Sequence, residues 1–108
     1  MEIGTKITDE SKVKVGDFVY SSYWHIIDQI VGKGDKWENK WSVKQITPIN
    51  PTDDLNLDDI GKVRNHGTSL KNDRILKGSE VLEFIEEYCS PQVMEIIKAK
   101  KLAIFGGN

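Results

Sequence analysis

The chain has 108 residues, enough for one hydrophobic core and too few for two. A hydrophobic fraction of 38% and a charged fraction of 30% exclude global disorder, and fifteen Lys and Arg against seventeen Asp and Glu, net −2, exclude a whole-molecule field that would draw the chain to polyanions. The lone cysteine, Cys89, excludes an internal disulfide, a CxxC redox pair and a four-ligand zinc cluster, and fits a reducing compartment.

From Met1 to Glu10 there is no apolar stretch of the kind a signal peptide needs, and no run approaches the length of a membrane span. The cytoplasm is the expected location, with no membrane partner.

Lys12-Val13-Lys14-Val15 alternates polar with apolar and meets the turn pair Gly16-Asp17, after which Phe18-Val19-Tyr20 is extended again. Residues 23 to 31 form a strand rich in aromatic and β-branched side chains. Trp24, Ile26 and Ile30 share one parity and Ile27 and Val31 the other, which predicts burial on both faces. Gly32-Lys33-Gly34-Asp35 carries residues that tolerate positive φ and predicts a hairpin turn, with Trp41-Ser42-Val43-Lys44 as the returning strand. Trp37 and Trp41 flank the polar stretch Glu38-Asn39-Lys40 and would close its tip.

Prolines and Asx residues between Pro48 and Asp59 predict the longest surface connection. Residues 61 to 66 read as a short strand, Thr68 to Asp73 as a turn, and Arg74-Ile75-Leu76 as a last extended piece. Near Gly78 the pattern changes to helical spacing. A helix over about 80 to 89 is predicted from Ser79 as cap, Glu80 at the positive end of the dipole, and Val81, Leu82, Ile85, Tyr88 and Cys89 on one face. Ser90-Pro91 restarts the chain as a cap followed by an N1 proline does, and Val93, Met94, Ile97 and Lys101 mark a second helical stripe. The apolar segment Leu102 to Phe105 predicts a tail, residues 102 to 108, docked on the body.

Lys14-Val15-Gly16-Asp17-Phe18-Val19-Tyr20, followed by two further strands across short polar turns, resembles the opening of small SH3-like β-barrel domains, including small uncharacterised phage and mobile-element proteins. The resemblance covers residues 12 to 47 and departs at Tyr23-Trp24-His25. It implies a barrel whose loops and one open face bind a partner, and it carries over no functional residue.

Six of the nine aromatics lie between residues 18 and 41, a density that suits either a barrel core or an exposed contact surface. Residues 60 to 78 carry a net charge of +4, from Lys62, Arg64, Lys71, Arg74 and Lys77 against Asp73, which makes them the best local site for a polyanion. The aspartates at 53, 54, 58 and 59 lie just before this segment and would neutralise it by folding back. His66, within Arg64-Asn65-His66-Gly67-Thr68-Ser69, is the one candidate for proton transfer, with Thr68 or Ser69 as nucleophile, but no nucleophile elbow, phosphate-binding loop or HExxH motif accompanies it. His25 and His66 stand at unrelated spacing, so no metal and no cofactor is expected. Cys89 falls on an apolar helical face, where a thiol packs as a small hydrophobe. The glutamates of the first helix and the lysines ending the second put an acidic surface beside a basic one, which would steer a charged partner.

These observations predict a single α+β domain. A small antiparallel SH3-like β-barrel or bent sheet spans about 12 to 77, and a C-terminal helical hairpin spans about 79 to 101. The expected function is a non-enzymatic module that binds a protein partner, as a phage or mobile-element regulator or inhibitor would. Its candidate contact residues are Tyr23, Trp24, Trp37, Arg64, His66, Lys71 and Arg74, and no catalytic residue is assigned. Two alternatives remain: a nucleic-acid-binding accessory domain using the basic segment 62 to 77, and a small hydrolase or nucleotide-handling enzyme using His66.

Overall fold

The computed structural model describes residues 4–21, 25–36, 39–48, 57–66, 70 and 73–100. Six antiparallel strands form one sheet: β1 (Thr5–Lys6), β2 (Phe18–Ser21), β3 (Ile26–Lys36), β4 (Asn39–Gln45), β5 (Val63–His66) and β6 (Arg74–Leu76), in the order β1-β6-β2-β3-β4-β5. Two helices follow, α1 (Gly78–Tyr88) and α2 (Pro91–Ala99). The α+β class and the helical pair are therefore as the sequence predicts. The sheet is open, because β1 and β5 lie at opposite edges and do not pair.

Strand alternation sends side chains to two separate cores. On the helix side, Phe18 of β2, Ile27 of β3 and Leu76 of β6 pack with Ile46 and Ile60 against Val81, Phe84 and Ile85 of α1 and Val93 and Ile97 of α2. On the other side, Val19, Ile30, Trp41 and Val43 pack against Ile7, Val13 and Leu70. The two-sided burial predicted for the central strand thus holds for Ile26, Ile27 and Ile30, each exposed by no more than 2%. Helices cover one face of it, and the N-terminal strap with Leu70 covers the other.

Three local expectations are corrected. Lys12–Val15 is not a strand: a 3-10 turn at Glu10–Lys12, capped by the Asp9 side chain on the Ser11 N–H at 3.0 Å, leads into non-regular chain that buries Val13 and exposes Val15. The sheet instead begins earlier, at β1, whose two residues are too few to show alternation. The turn at Gly16-Asp17 does form, with Gly16 at φ +99° and the Asp17 carboxylate accepting from the Lys14 N–H at 2.8 Å.

The hairpin does not turn at Gly32–Asp35. β3 runs on to Lys36, which pairs with Asn39, and the glycine is spent on a shift of register between Ile30 and Gly32. A glycine within a strand marks a bulge as readily as a turn, and Gly32 has negative φ. Finally, α1 starts at Gly78 with Lys77 as its N-cap residue, and the capping group is Glu80 rather than Ser79. The Glu80 carboxylate accepts from the Lys77 N–H and from the Gly4 N–H, each at 3.0 Å, and so ties the start of the chain to the helix. Ser90 at the N-cap position and Pro91 after it begin α2 as predicted, but the Ser90 hydroxyl makes no capping bond among the described residues. The expected tail over 102 to 108 lies outside the described residues.

Candidate functional site

The second core contains charge. Asp28 follows Ile27 on β3 and therefore points away from the helices, where only 3% of it is exposed. Its Oδ2 accepts from Arg64 Nη2 of β5 at 2.7 Å, and its buried Oδ1 has no partner among the described residues. Burial pushes the Asp28 carboxyl up to about 6 despite the opposing charge and hydrogen bond of Arg64. Desolvation outweighs the ion pair here because the carboxylate is deep while the Arg64 side chain keeps 39% of its surface in solvent.

Two more carboxylates and a histidine belong to this group. Asp73, just before β6, is pushed up to about 6, first by burial and then by the charges of Asp28 and Glu10. The Glu10 carboxylate, from the 3-10 turn of the strap, accepts from the Leu70 N–H. His66 stands opposite Trp41 in the β4–β5 register. Its ring is held below the usual histidine range by burial and by Arg64, with Glu10 opposing. The indole Nε1 of Trp41 is likewise buried without a partner among the described residues, and the Lys33 ammonium lies 5.5 Å from the ring centroid. Among the described residues, no three His, Cys, Asp or Glu side chains converge as a metal ion would require.

The structure does not gather the predicted cations into one patch. Arg64 pairs with Asp28 on the strap side, whereas Arg74 stands opposite Tyr20 on the helix side and donates from Nη2 to the Gly4 carbonyl at 2.9 Å. Lys62 pairs with Asp59 at 3.1 Å, so one of the preceding aspartates does fold back onto the segment. Arg64 and His66 share a face and Arg74 does not. Tyr23, Trp24, Trp37 and Lys71 lie outside the described residues, as do Thr68 and Ser69.

Of the aromatic run, Phe18 and Trp41 are core residues on opposite faces. Tyr20 is half-buried and begins a row at the end of the sheet where β2 passes to β3. Its hydroxyl shares a hydrogen bond with His25 Nδ1 at 2.9 Å, and its ring lies 5.5 Å from Phe84, which lies 5.1 Å from Tyr88. His25 sits at φ +53°, a left-handed conformation uncommon outside glycine, and the Tyr20 bond helps to hold it there. The Tyr88 hydroxyl bonds the Glu87 carboxylate, and burial with that charge pushes it above the usual tyrosine range. Glu83, Glu86 and Glu87 are all exposed on the C-terminal half of α1.

A groove of about 650 Å³ opens at the other end of the sheet, between the Gly16 turn, Phe18, Leu76 and the start of α1. Val15, 68% exposed, stands at its rim, and none of the predicted contact residues that are described (Arg64, His66 and Arg74) lines it. Cys89 is partly buried beside α1, and burial pushes its thiol up to about 11. No described helix is long and apolar enough to cross a membrane.

No protein-family model, no curated protein and no solved structure matches this chain. The site is therefore read from its own chemistry. Sequence reasoning missed Asp28, Asp73 and Glu10 as a group, and one signal for them existed: Asp28 is the sole charge inside Ile26–Val31, a run whose alternation predicts burial on both faces. Phe84 was also missed, although it lies three residues after Val81 on the same helical stripe.

Proposed function

We propose that this domain is a non-enzymatic interaction module that binds a basic segment of a protein partner, and that it does so at the end of the sheet carrying Tyr20, His25 and Tyr88. The observation that carries this reading is the aromatic row, in which a tyrosine fixes a left-handed histidine at the surface beside a second tyrosine. Rings of this kind offer large contact area at low entropic cost.

Charge favours a cationic partner. Glu83, Glu86 and Glu87 lie at the negative end of the α1 dipole and at i, i+3 and i, i+4 spacing from one another, an arrangement that costs the isolated helix stability. A basic segment would relieve it. Lys62, Arg64 and Arg74 are meanwhile engaged within the fold, the two arginines on opposite faces of the sheet, which supports a protein over a nucleic acid as the partner. The likeness of residues 12 to 47 to SH3-like domains points the same way, to binding through loops and one open face, and a phage or mobile-element regulator is the corresponding role.

The test is retention of protein from a lysate by the immobilised domain after nuclease treatment, repeated with Tyr88→Ala and with Glu83→Lys/Glu87→Lys. Protein kept by the wild type and released by both variants supports the reading. Recovery of nucleic acid alone, lost with nuclease and with added salt, overturns it.

A further inference from the structure

The strap over the second core is closed by a circuit of hydrogen bonds around Leu70, a residue with no exposed surface. The Leu70 N–H donates to the Glu10 carboxylate. The Leu70 carbonyl accepts from the Asp73 N–H at 3.0 Å, and the Asp73 carbonyl accepts from the Ile7 N–H at 2.8 Å. Ile7 and Glu10 belong to the strap, and Leu70 and Asp73 to the segment before β6, so the circuit fastens one to the other.

Charged side chains gather around this circuit. Glu10 from the strap, Asp28 from β3 and Asp73 from the segment before β6 bring three carboxylates to the face, while β5 brings Arg64 and a His66 held toward its neutral form, and β3 brings Lys33, whose ammonium lies 5.5 Å from the Trp41 ring. The side chains that β2 and β4 contribute to this face, among them Val19, Trp41 and Val43, are uncharged. Asp28 Oδ1 is buried and without a partner among the described residues, so the charged carboxylate is costly there and a proton removes that charge.

We propose that this group is a proton-operated latch: a proton taken from solvent by the Asp28 and Asp73 carboxylates holds the strap shut over the second core, and its loss lets the strap open. Mildly acidic solution closes the latch because the charge buried beneath the strap falls, and with it the repulsion among the three carboxylates. Neutral solution loosens it because the buried Asp28 and Asp73 carboxyls then carry their full charge beneath the strap. The burial that pushes both aspartates to about 6 places the change between pH 5 and 7.5. The device is separate from the aromatic row, which lies on the helix side of the sheet.

The experiment is amide hydrogen exchange on the whole protein at pH 5 and 7.5, with protection at Leu70 and Ile7 corrected for intrinsic rates. If opening restores an ordinary carboxyl, each aspartate lowers protection by about tenfold over this interval. The wild type should show at least that loss, and Asp73→Asn should lessen it. Equal protection at both pH values in the wild type overturns the latch, as does an undiminished loss in Asp73→Asn. Carboxyl NMR titration of the wild type gives a reading independent of any variant's folding: Asp28 and Asp73 titrating near 6 supports the latch, and both titrating near 4 overturns it.

Discussion

Replacing Arg64 by alanine tests whether that residue serves the fold or an external anion. In the structure its guanidinium lies 2.7 Å from Asp28 Oδ2, and the Asp28 side chain is only 4% exposed, so truncation leaves a charged oxygen pair in an apolar face. Breaking a fully buried pair in this way costs about 3–5 kcal/mol. Arg64 retains 39% of its side-chain surface, so water partly compensates and about 2–3 kcal/mol is the expected loss at pH 7.5. At pH 5 the loss should shrink to about 1 kcal/mol or less, because Asp28, which titrates at about 6 even with its partner present, is then neutral and has little need of the cation. Urea unfolding of wild type and Arg64→Ala at the two pH values measures both differences. A loss below about 0.5 kcal/mol at pH 7.5 would place Arg64 among solvated surface charges. A loss of equal size at both pH values would mean that Asp28 does not titrate where its burial requires.

The wild type should itself be more stable at pH 5 than at pH 7.5. A carboxyl whose folded value is raised from 3.8 to about 6 contributes stability that is complete below 3.8 and is lost as pH rises through 6, so Asp28 alone gives about 1.4 kcal/mol between these two points, and Asp73 adds to it while His66, held below the usual histidine range, works the other way; a flat or opposite trend in thermal melts would contradict this. Gly4→Ala should detach β1, because Gly4 has φ +67° and an added Cβ would stand 2.2 Å from the Ile75 carbonyl oxygen, and loss of amide protection at Thr5 with the helices intact would show it. Phe84→Ala should cost about 3–5 kcal/mol, since the ring packs in the helix-side core against Tyr20 and Tyr88, and a change below 1 kcal/mol in denaturant midpoint analysis would mean that the row is not built as described.

The helices were legible in the sequence because their signals are local. Ser90-Pro91 and the spacing of Val81, Ile85, Val93 and Ile97 involve residues within a turn or two of each other. Two-sided burial of β3 was legible for the same reason, through the parity of Ile26, Ile27 and Ile30. What covered each face was not, because the strap and Leu70 reach it from sites far away in the chain and carry no periodicity. β1 has two residues and pairs with a strand almost seventy positions later, which no window of sequence reports. Gly32 was misread because a glycine after a strand signals a turn and a bulge alike, and only the partner strand decides between them.

The basic segment illustrates a further limit. Its net charge of +4 is a property of the chain, but a polyanion meets a surface, and alternation along the short strands around it sends Arg64 and Arg74 to opposite sides. Charge summed along a sequence becomes charge on a face only when the residues share a parity. The same alternation explains why Asp28 ends up buried: Ile27 must face the helices, so its neighbour must face the strap. An apolar residue at position 28 would satisfy that core without the cost of a desolvated carboxylate. An aspartate there, whose charge also acts on Asp73, gives up stability at neutral pH and gains a face whose closure responds to protons. The two sides of the sheet thus separate two kinds of mutational effect. Changes at Tyr20, Tyr88 or the α1 glutamates should alter what the domain binds, and changes at Asp28, Arg64 or Asp73 should alter the pH at which its second core is closed.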